Sequence, residues 1–258
     1  MQLNYKVYGE NNSNNLIILH GLFGMLDNWT TLAKKLGETY RVFTIDQRNH
    51  GKSNHVDVID YETMSEDLRA FMDEQNLYTS NILGHSMGGK TVMHFTNNYP
   101  ERVERLIIVD IAPKKYEPKH NQIIDALCDL PIDNVLTRQQ ADEWLAQRIE
   151  NFGVRQFLLK NLARSKNGFS WKMNLKVIVA NYMKIIGGVS ITNGFERPVM
   201  LLYGDKSNYI NNDDIEKFEE NYEQFSKIKV TNAGHWVHAE QPDEFFKLTS
   251  DFLEQPLF

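Results

Sequence analysis

The chain has a single cysteine, Cys128, in 258 residues, so no internal disulfide can staple it. That excludes the disulfide-framed small secreted folds and suits a reducing compartment, so a cytoplasmic protein is expected. Cys128 itself lies far in sequence from other reactive groups and reads as a buried structural thiol. Long apolar runs are missing too, and none approaches the roughly 18 residues of a membrane span. Residues 1–9 alternate like a strand instead of presenting a basic and then apolar leader. Positive charge is in deficit: 28 Lys and Arg face 34 Asp and Glu, for a net charge of −6. With no basic run or stripe, the electrostatic footprint of a nucleic-acid binder is absent. No repeat stands out, and the only biased stretch is the Asn-rich residues 11–15. No Cys/His cluster or glycine-rich phosphate loop occurs, so no metal and no organic cofactor is expected.

Hydrophobic residues at 41% and charged residues at 24% fit an ordinary globular chain with a sizeable core. Short apolar runs at residues 16–19, 41–45, 81–83, 106–109, 199–203 and 227–230 end abruptly in Gly, Asp or His. Helical patterns at 29–36, 64–75, 89–98 and 214–222 separate most of them, and a last one follows at 242–253. Uniformly apolar strands alternating with helices predict a mostly parallel sheet covered on both faces. The rhythm breaks between Pro113 and Arg197, where helical spacing recurs at 138–149, 154–163 and 171–186 with no convincing strand. The expectation is an α/β core from residues 1–112 and 197–258, with residues 113–196 inserted as a helical cap.

Ligands of an open α/β sheet bind outside the carboxyl ends of its strands. His20-Gly21, Asp46, Ser86, Asp110 and Asp205 all fall at such ends. Among them Gly84-His85-Ser86-Met87-Gly88 reads G-x-S-x-G between a β-prone and a helix-compatible run, the pattern of a nucleophile elbow. A serine hydroxyl is a weak nucleophile until a base takes its proton. His235, directly after Gly234 on the loop beyond the last strand run, is the favoured base, with His238 its rival. His94 falls within a helix. His55 and His120 sit in polar loops and read as solvated. His85 is turned away from its neighbour, His20 reads as a loop-holding residue, and His50 reads as either lining the site or stabilising its loop. An oxyanion hole needs two backbone N–H groups. Met87, just after the serine, is one candidate, and Leu22 in His20-Gly21-Leu22-Phe23-Gly24 is the other, with Phe23 the near alternative.

These two glycine motifs, Asp46-Gln47-Arg48-Asn49-His50-Gly51-Lys52-Ser53, and Gly234-His235-Trp236-Val237-His238-Ala239-Glu240 occur in an order that resembles the α/β-hydrolase superfamily over nearly the whole chain. With Asp110-Ile111-Ala112-Pro113 the resemblance narrows to the bacterial YbfF-type esterases, which implies activity on esters and acyl-CoA thioesters. Most of that superfamily carries its acid three residues beyond the glycine ending the strand before last. Here that glycine is Gly204 and the position holds Ser207, which cannot stabilise an imidazolium as a carboxylate does. Asp110, ending an apolar run, and Asp205 are the two substitutes, and the resemblance implies Asp110.

The expected function is acyl transfer to water through Ser86, His235 and Asp110, on a small-molecule ester or acyl-CoA substrate. Phe157, Leu158, Leu162 and Trp171 are candidate linings of an apolar pocket for a medium or long acyl chain, although their helical spacing reads equally as core. Carbon–carbon hydrolases and cofactor-free perhydrolases use the same residue set. A ligand-binding protein that kept the fold without catalysis is the alternative from another class.

Overall fold

The computed structural model describes residues 1–166, 168–191 and 195–256. Strands β1 (Tyr5–Tyr8), β2 (Asn15–Leu19), β3 (Arg41–Ile45), β4 (Ser80–His85) and β5 (Val103–Val109) belong to one sheet with β8 (Val199–Gly204) and β9 (Phe225–Val230). Its seven strands run in the order β1-β3-β2-β4-β5-β8-β9. Among the described residues of this sheet, β1 pairs antiparallel with β3 and the other pairings are parallel.

Side chains alternate across a strand, so a sheet buried on both faces needs apolar residues at every position. That is what β2 and β5 supply. Ile17, Leu19, Leu106 and Ile108 enter one core, while Leu16, Ile18, Ile107 and Val109 enter the other. Helices α2 (Tyr61–Glu74) and α3 (Met87–Asn98) cover the first face through Met64, Leu68, Phe71, Val92 and Phe95. Helix α1 (Thr30–Leu36) and the C-terminal Pro242–Leu253 cover the second through Leu32, Leu36, Phe245 and Phe252.

Between β5 and β8 the chain forms α4 (Asn121–Asp129), α5 (Arg138–Ala146), α6 (Phe152–Leu159), α7 (Leu175–Ala180) and α8 (Tyr182–Ile185). It also forms a hairpin, β6 (Leu162–Ser165) with β7 (Gly168–Trp171), in a stretch where the sequence shows no convincing strand and whose outer ends overlap the helical spans expected at 154–163 and 171–186. Leu158, Leu159 and Leu162 mimic a continuing helical stripe, but α6 stops at Leu159, and Leu162 is buried from a strand. The expected helix over 171–186 is likewise broken at Asn181, where α7 ends and α8 begins. After β8 come α9 (Asn212–Asn221), then β9, α10 (Val237–Glu240) and the C-terminal helix α11 (Pro242–Leu253). Cys128 is exposed on α4 and not buried, because it sits outside the face that carries Ile124 and Leu127 into the core. Among the described residues no helix is long and apolar enough to cross a membrane.

Candidate active site

Register decides which residues meet. Leu19 lies opposite Gly84, and His85 lies opposite Val109, so β2, β4 and β5 end side by side. The residues that follow them are His20 to Phe23, Ser86 and Asp110. Ser86 has φ 52° and ψ −116° between β4 and α3. This left-handed conformation costs a side-chain-bearing residue about 1–3 kcal/mol and persists only where the surroundings impose it. Two glycines make the turn possible: a Cβ on Gly84 would stand 2.4 Å from the Gly88 carbonyl oxygen, and one on Gly88 would stand 2.5 Å from that of Leu19.

Asp110 also has positive φ, 49°, and its carboxylate is fully buried. Its Oδ1 accepts from the Gly204 amide at 3.1 Å. Its Oδ2 accepts from the Ser207 hydroxyl and lies 2.7 Å from His235 Nδ1. A carboxylate only accepts, so Nδ1 carries the hydrogen and Nε2 keeps its lone pair. Nε2 lies 3.0 Å from Ser86 Oγ, which donates to it. Ser86, His235 and Asp110 are thus one hydrogen-bonded line drawn from three strand ends. Asp205 is exposed and outside it. Ser207, set aside in the sequence because it cannot replace a carboxylate, instead holds the carboxylate that does the pairing, and its oxygen also accepts the Tyr209 amide at 3.2 Å.

The other histidines divide between scaffold and site. His238 stacks on Trp29 at 4.0 Å and 16°, which removes it as a rival to His235. His85 donates from Nε2 to the backbone carbonyl of His235 at 2.8 Å, fixing the loop that carries that residue. His20 Nδ1 contacts the Gly21 carbonyl at 2.8 Å, and its Nε2 accepts the Gln47 amide at 3.0 Å. His50 Nε2 accepts the Phe23 amide at 3.3 Å. Both rings are neutral inside: burial pushes His20 down to about 4 and His50 to about 3. Asp46 ties the same loops together by accepting from the Leu26 and Lys52 amides at 2.8 and 2.9 Å. Because the Phe23 amide is occupied by His50, Leu22 is the candidate oxyanion donor of that loop. Met87 is the first residue of α3, where amides lack intrahelical partners.

His120 departs from the solvated loop residue expected. It is half-buried and lines the cavities at Ser86 from the segment between β5 and β8. Its Nδ1 lies 2.9 Å from the Tyr182 hydroxyl, and its Nε2 lies 3.4 Å from that of Tyr209. Tyr209 in turn stacks on the His235 imidazole, with centroids 3.8 Å apart and planes 15° from parallel. Burial, with His235 and Lys119 nearby, holds His120 down to about 4, and burial raises the Tyr209 phenol to about 12, so both are neutral near pH 7. No motif marked this pair, because residue 120, between β5 and β8, and residue 209, after β8, are distant in sequence and meet only in the folded chain. Of the expected pocket linings, Phe157 and Leu158 face the cavity beside His235. Leu162 and Trp171 pack into the core instead.

A model of the alpha/beta hydrolase fold matches residues 14–242. Esterase YbfF of Escherichia coli is 33% identical over 257 residues, covering 98% of this chain and 99% of that one. The sn-1-specific diacylglycerol lipase ABHD11 of Danio rerio is 34% identical, covering 98% and 83%. A solved structure described as a marine microorganism esterase superposes with a TM-score of 0.94 at 41% identity, covering 98% and 99%. By the sheet order, the span of the family match and these relatives, the chain belongs to the α/β-hydrolase family and is a hydrolase with esterase and lipase relatives.

Proposed function

We propose that the chain is a serine hydrolase that cleaves carboxylic esters or acyl thioesters through an acyl-enzyme, with residues 113–196 acting as a cap over the site. The observation that carries this reading is the line from Ser86 Oγ to His235 Nε2 at 3.0 Å and from His235 Nδ1 to Asp110 Oδ2 at 2.7 Å. His235 takes the Ser86 proton as Oγ bonds to the substrate carbonyl carbon. The carbonyl oxygen becomes an oxyanion held by the Leu22 and Met87 amides, each donor of this kind contributing about 2.7–4 kcal/mol to lowering the barrier. The carbon–oxygen or carbon–sulfur bond then breaks, and the His235 Nε2 proton goes to the departing alcohol or thiol. Water, deprotonated by His235, attacks the acyl-enzyme and restores Ser86. Asp110 keeps the imidazole in the tautomer this cycle needs and stabilises its positive charge.

The names esterase and lipase on the relatives agree with this chemistry. The test is hydrolysis of a panel of p-nitrophenyl esters and acyl-CoA thioesters by wild type and Ser86→Ala. Turnover by wild type, abolished in a folded Ser86→Ala, supports the reading. A folded wild type inert on the whole panel contradicts it.

A further inference from the structure

Two cavities meet at Ser86, and the same residues divide them: Leu22, Ser86, His120 and Tyr209 line both. The larger holds His235, Trp236 and Phe157. The smaller holds Tyr61, Lys90, Ile111, Tyr116 and Ile186 and does not include His235.

The partition is tied together from both sides of the site. The His120 amide donates to the Tyr182 hydroxyl at 3.1 Å. That hydroxyl also lies 2.9 Å from His120 Nδ1. His120 Nε2 lies 3.4 Å from the Tyr209 hydroxyl, so the ring bridges the two tyrosines. The smaller cavity is fixed at its rear by Lys90, whose ammonium donates to the carbonyls of Lys114, Ile186 and Gly187. Those carbonyls belong to the two ends of the inserted segment, so α3 pins both ends against the site. The Tyr61 hydroxyl, donating to the Ile185 carbonyl, adds a second tie.

A tetrahedral intermediate on Ser86 has four substituents: Oγ, the oxyanion, the leaving group and the acyl chain. The leaving group departs only if His235 Nε2 can protonate it. It must therefore lie on the side that contains His235, and the acyl chain takes the position that remains. We propose that the acyl group occupies the Tyr61–Tyr116–Ile186 cavity and the alcohol or thiol the Phe157–Trp236 cavity, with His120 and Tyr209 as the partition. This assignment rests on the acyl-transfer reading above. It reverses the role the sequence suggested for Phe157 and Leu158, which here receive the leaving group and not the acyl chain. Because the acyl cavity is the smaller and its rear wall is pinned, discrimination by acyl length is steeper than discrimination by alcohol length.

The test is a double dissociation. Wild type, Ile186→Ala and Phe157→Ala are compared on two substrate series: p-nitrophenyl esters of acids from acetate to decanoate, and acetates of alcohols from methanol to octanol followed by proton release. Ile186→Ala should raise kcat/KM for the longer acyl chains relative to acetate by about tenfold, the usual effect of pocket volume on discrimination, and leave the alcohol series in place. Phe157→Ala should move the alcohol series and leave the acyl series in place. Should Ile186→Ala fail to fold, Ile111→Val opens the same cavity by less and must move the acyl series in the same direction. The exchanged pattern, with Phe157→Ala moving the acyl series, overturns the assignment while leaving the serine hydrolase standing. A folded wild type that cleaves neither series overturns both.

Discussion

Replacing Asp110 with asparagine keeps the shape of a fully buried side chain and changes what it can accept. In the wild type its two oxygens receive three donors: the Gly204 amide, the Ser207 hydroxyl and His235 Nδ1–H. An asparagine has one oxygen. If that oxygen faces Gly204, its NH2 meets Nδ1, and the imidazole must place its hydrogen on Nε2, where it faces Ser86 as a donor and cannot take a proton. If the oxygen faces His235 instead, the NH2 opposes the Gly204 amide in a buried site, at a cost of about 1–3 kcal/mol of stability. In the first orientation the wrong tautomer and the loss of charge opposite the imidazolium lower kcat by about 10⁴-fold, close to 5.5 kcal/mol of barrier. The assay is kcat/KM on p-nitrophenyl butyrate for wild type, Asp110→Asn and Asp205→Asn, with a thermal melt on each. Asp205→Asn, an exposed change, should stay within about twofold, as surface substitutions away from a site do. A folded Asp110→Asn that keeps a tenth or more of the activity refutes the reasoning, as does a loss of that size in Asp205→Asn.

The Ser207→Ala variant removes one charge-assisted donor from the carboxylate, and should lower kcat about tenfold, with KM little changed, in keeping with about 1.5 kcal/mol for such a bond. Gly88→Ala drives a Cβ to 2.5 Å from the Leu19 carbonyl oxygen, so the variant should be recovered unfolded or melt far below wild type. Burial holds His20 at about 4, and His50 and His238 at about 3, against an ordinary 6.5. Between these values and 6.5 the unfolded chain binds more protons, so stability rises with pH there and falls on acidification. Each group contributes up to about 1.4 kcal/mol per pH unit. Calorimetry should show Tm dropping steeply from pH 6.5 to 5 and nearly level above 7.5; a level Tm through the acid range contradicts neutral burial. Lys90→Met leaves the carbonyls of Lys114, Ile186 and Gly187 without their donor, and should speed amide hydrogen exchange at residues 114–117 and 185–188 before it affects the sheet.

The parts legible in the sequence are those where one residue type is dictated by its immediate surroundings. Gly84 and Gly88 are forced by backbone oxygens within 2.5 Å of where a Cβ would stand, so the elbow announces itself. The parallel strands of the sheet interior are buried on both faces, so they read as unbroken apolar runs. Asp110 stood out because a buried strand ending in a carboxylate needs a partner, and His235 is that partner. What escaped depends on distant segments meeting. His120 and Tyr209 are ordinary loop residues until the segment between β5 and β8 brings them together. The supporting role of Ser207 appears only when the turn after Gly204 lays its hydroxyl against Asp110. The β6–β7 hairpin was masked by leucines whose spacing fits a helix as well as a strand end.

The central claim is that Ser86 is the nucleophile. The measurement that tests it most directly is reaction with a fluorophosphonate followed by peptide mass spectrometry. The account predicts one phosphonyl adduct per chain, on the peptide containing Ser86, formed in step with loss of ester hydrolysis and absent from Ser86→Ala. An enzyme that hydrolyses esters yet stays unlabelled at Ser86, or a Ser86→Ala variant that keeps its activity, would contradict it.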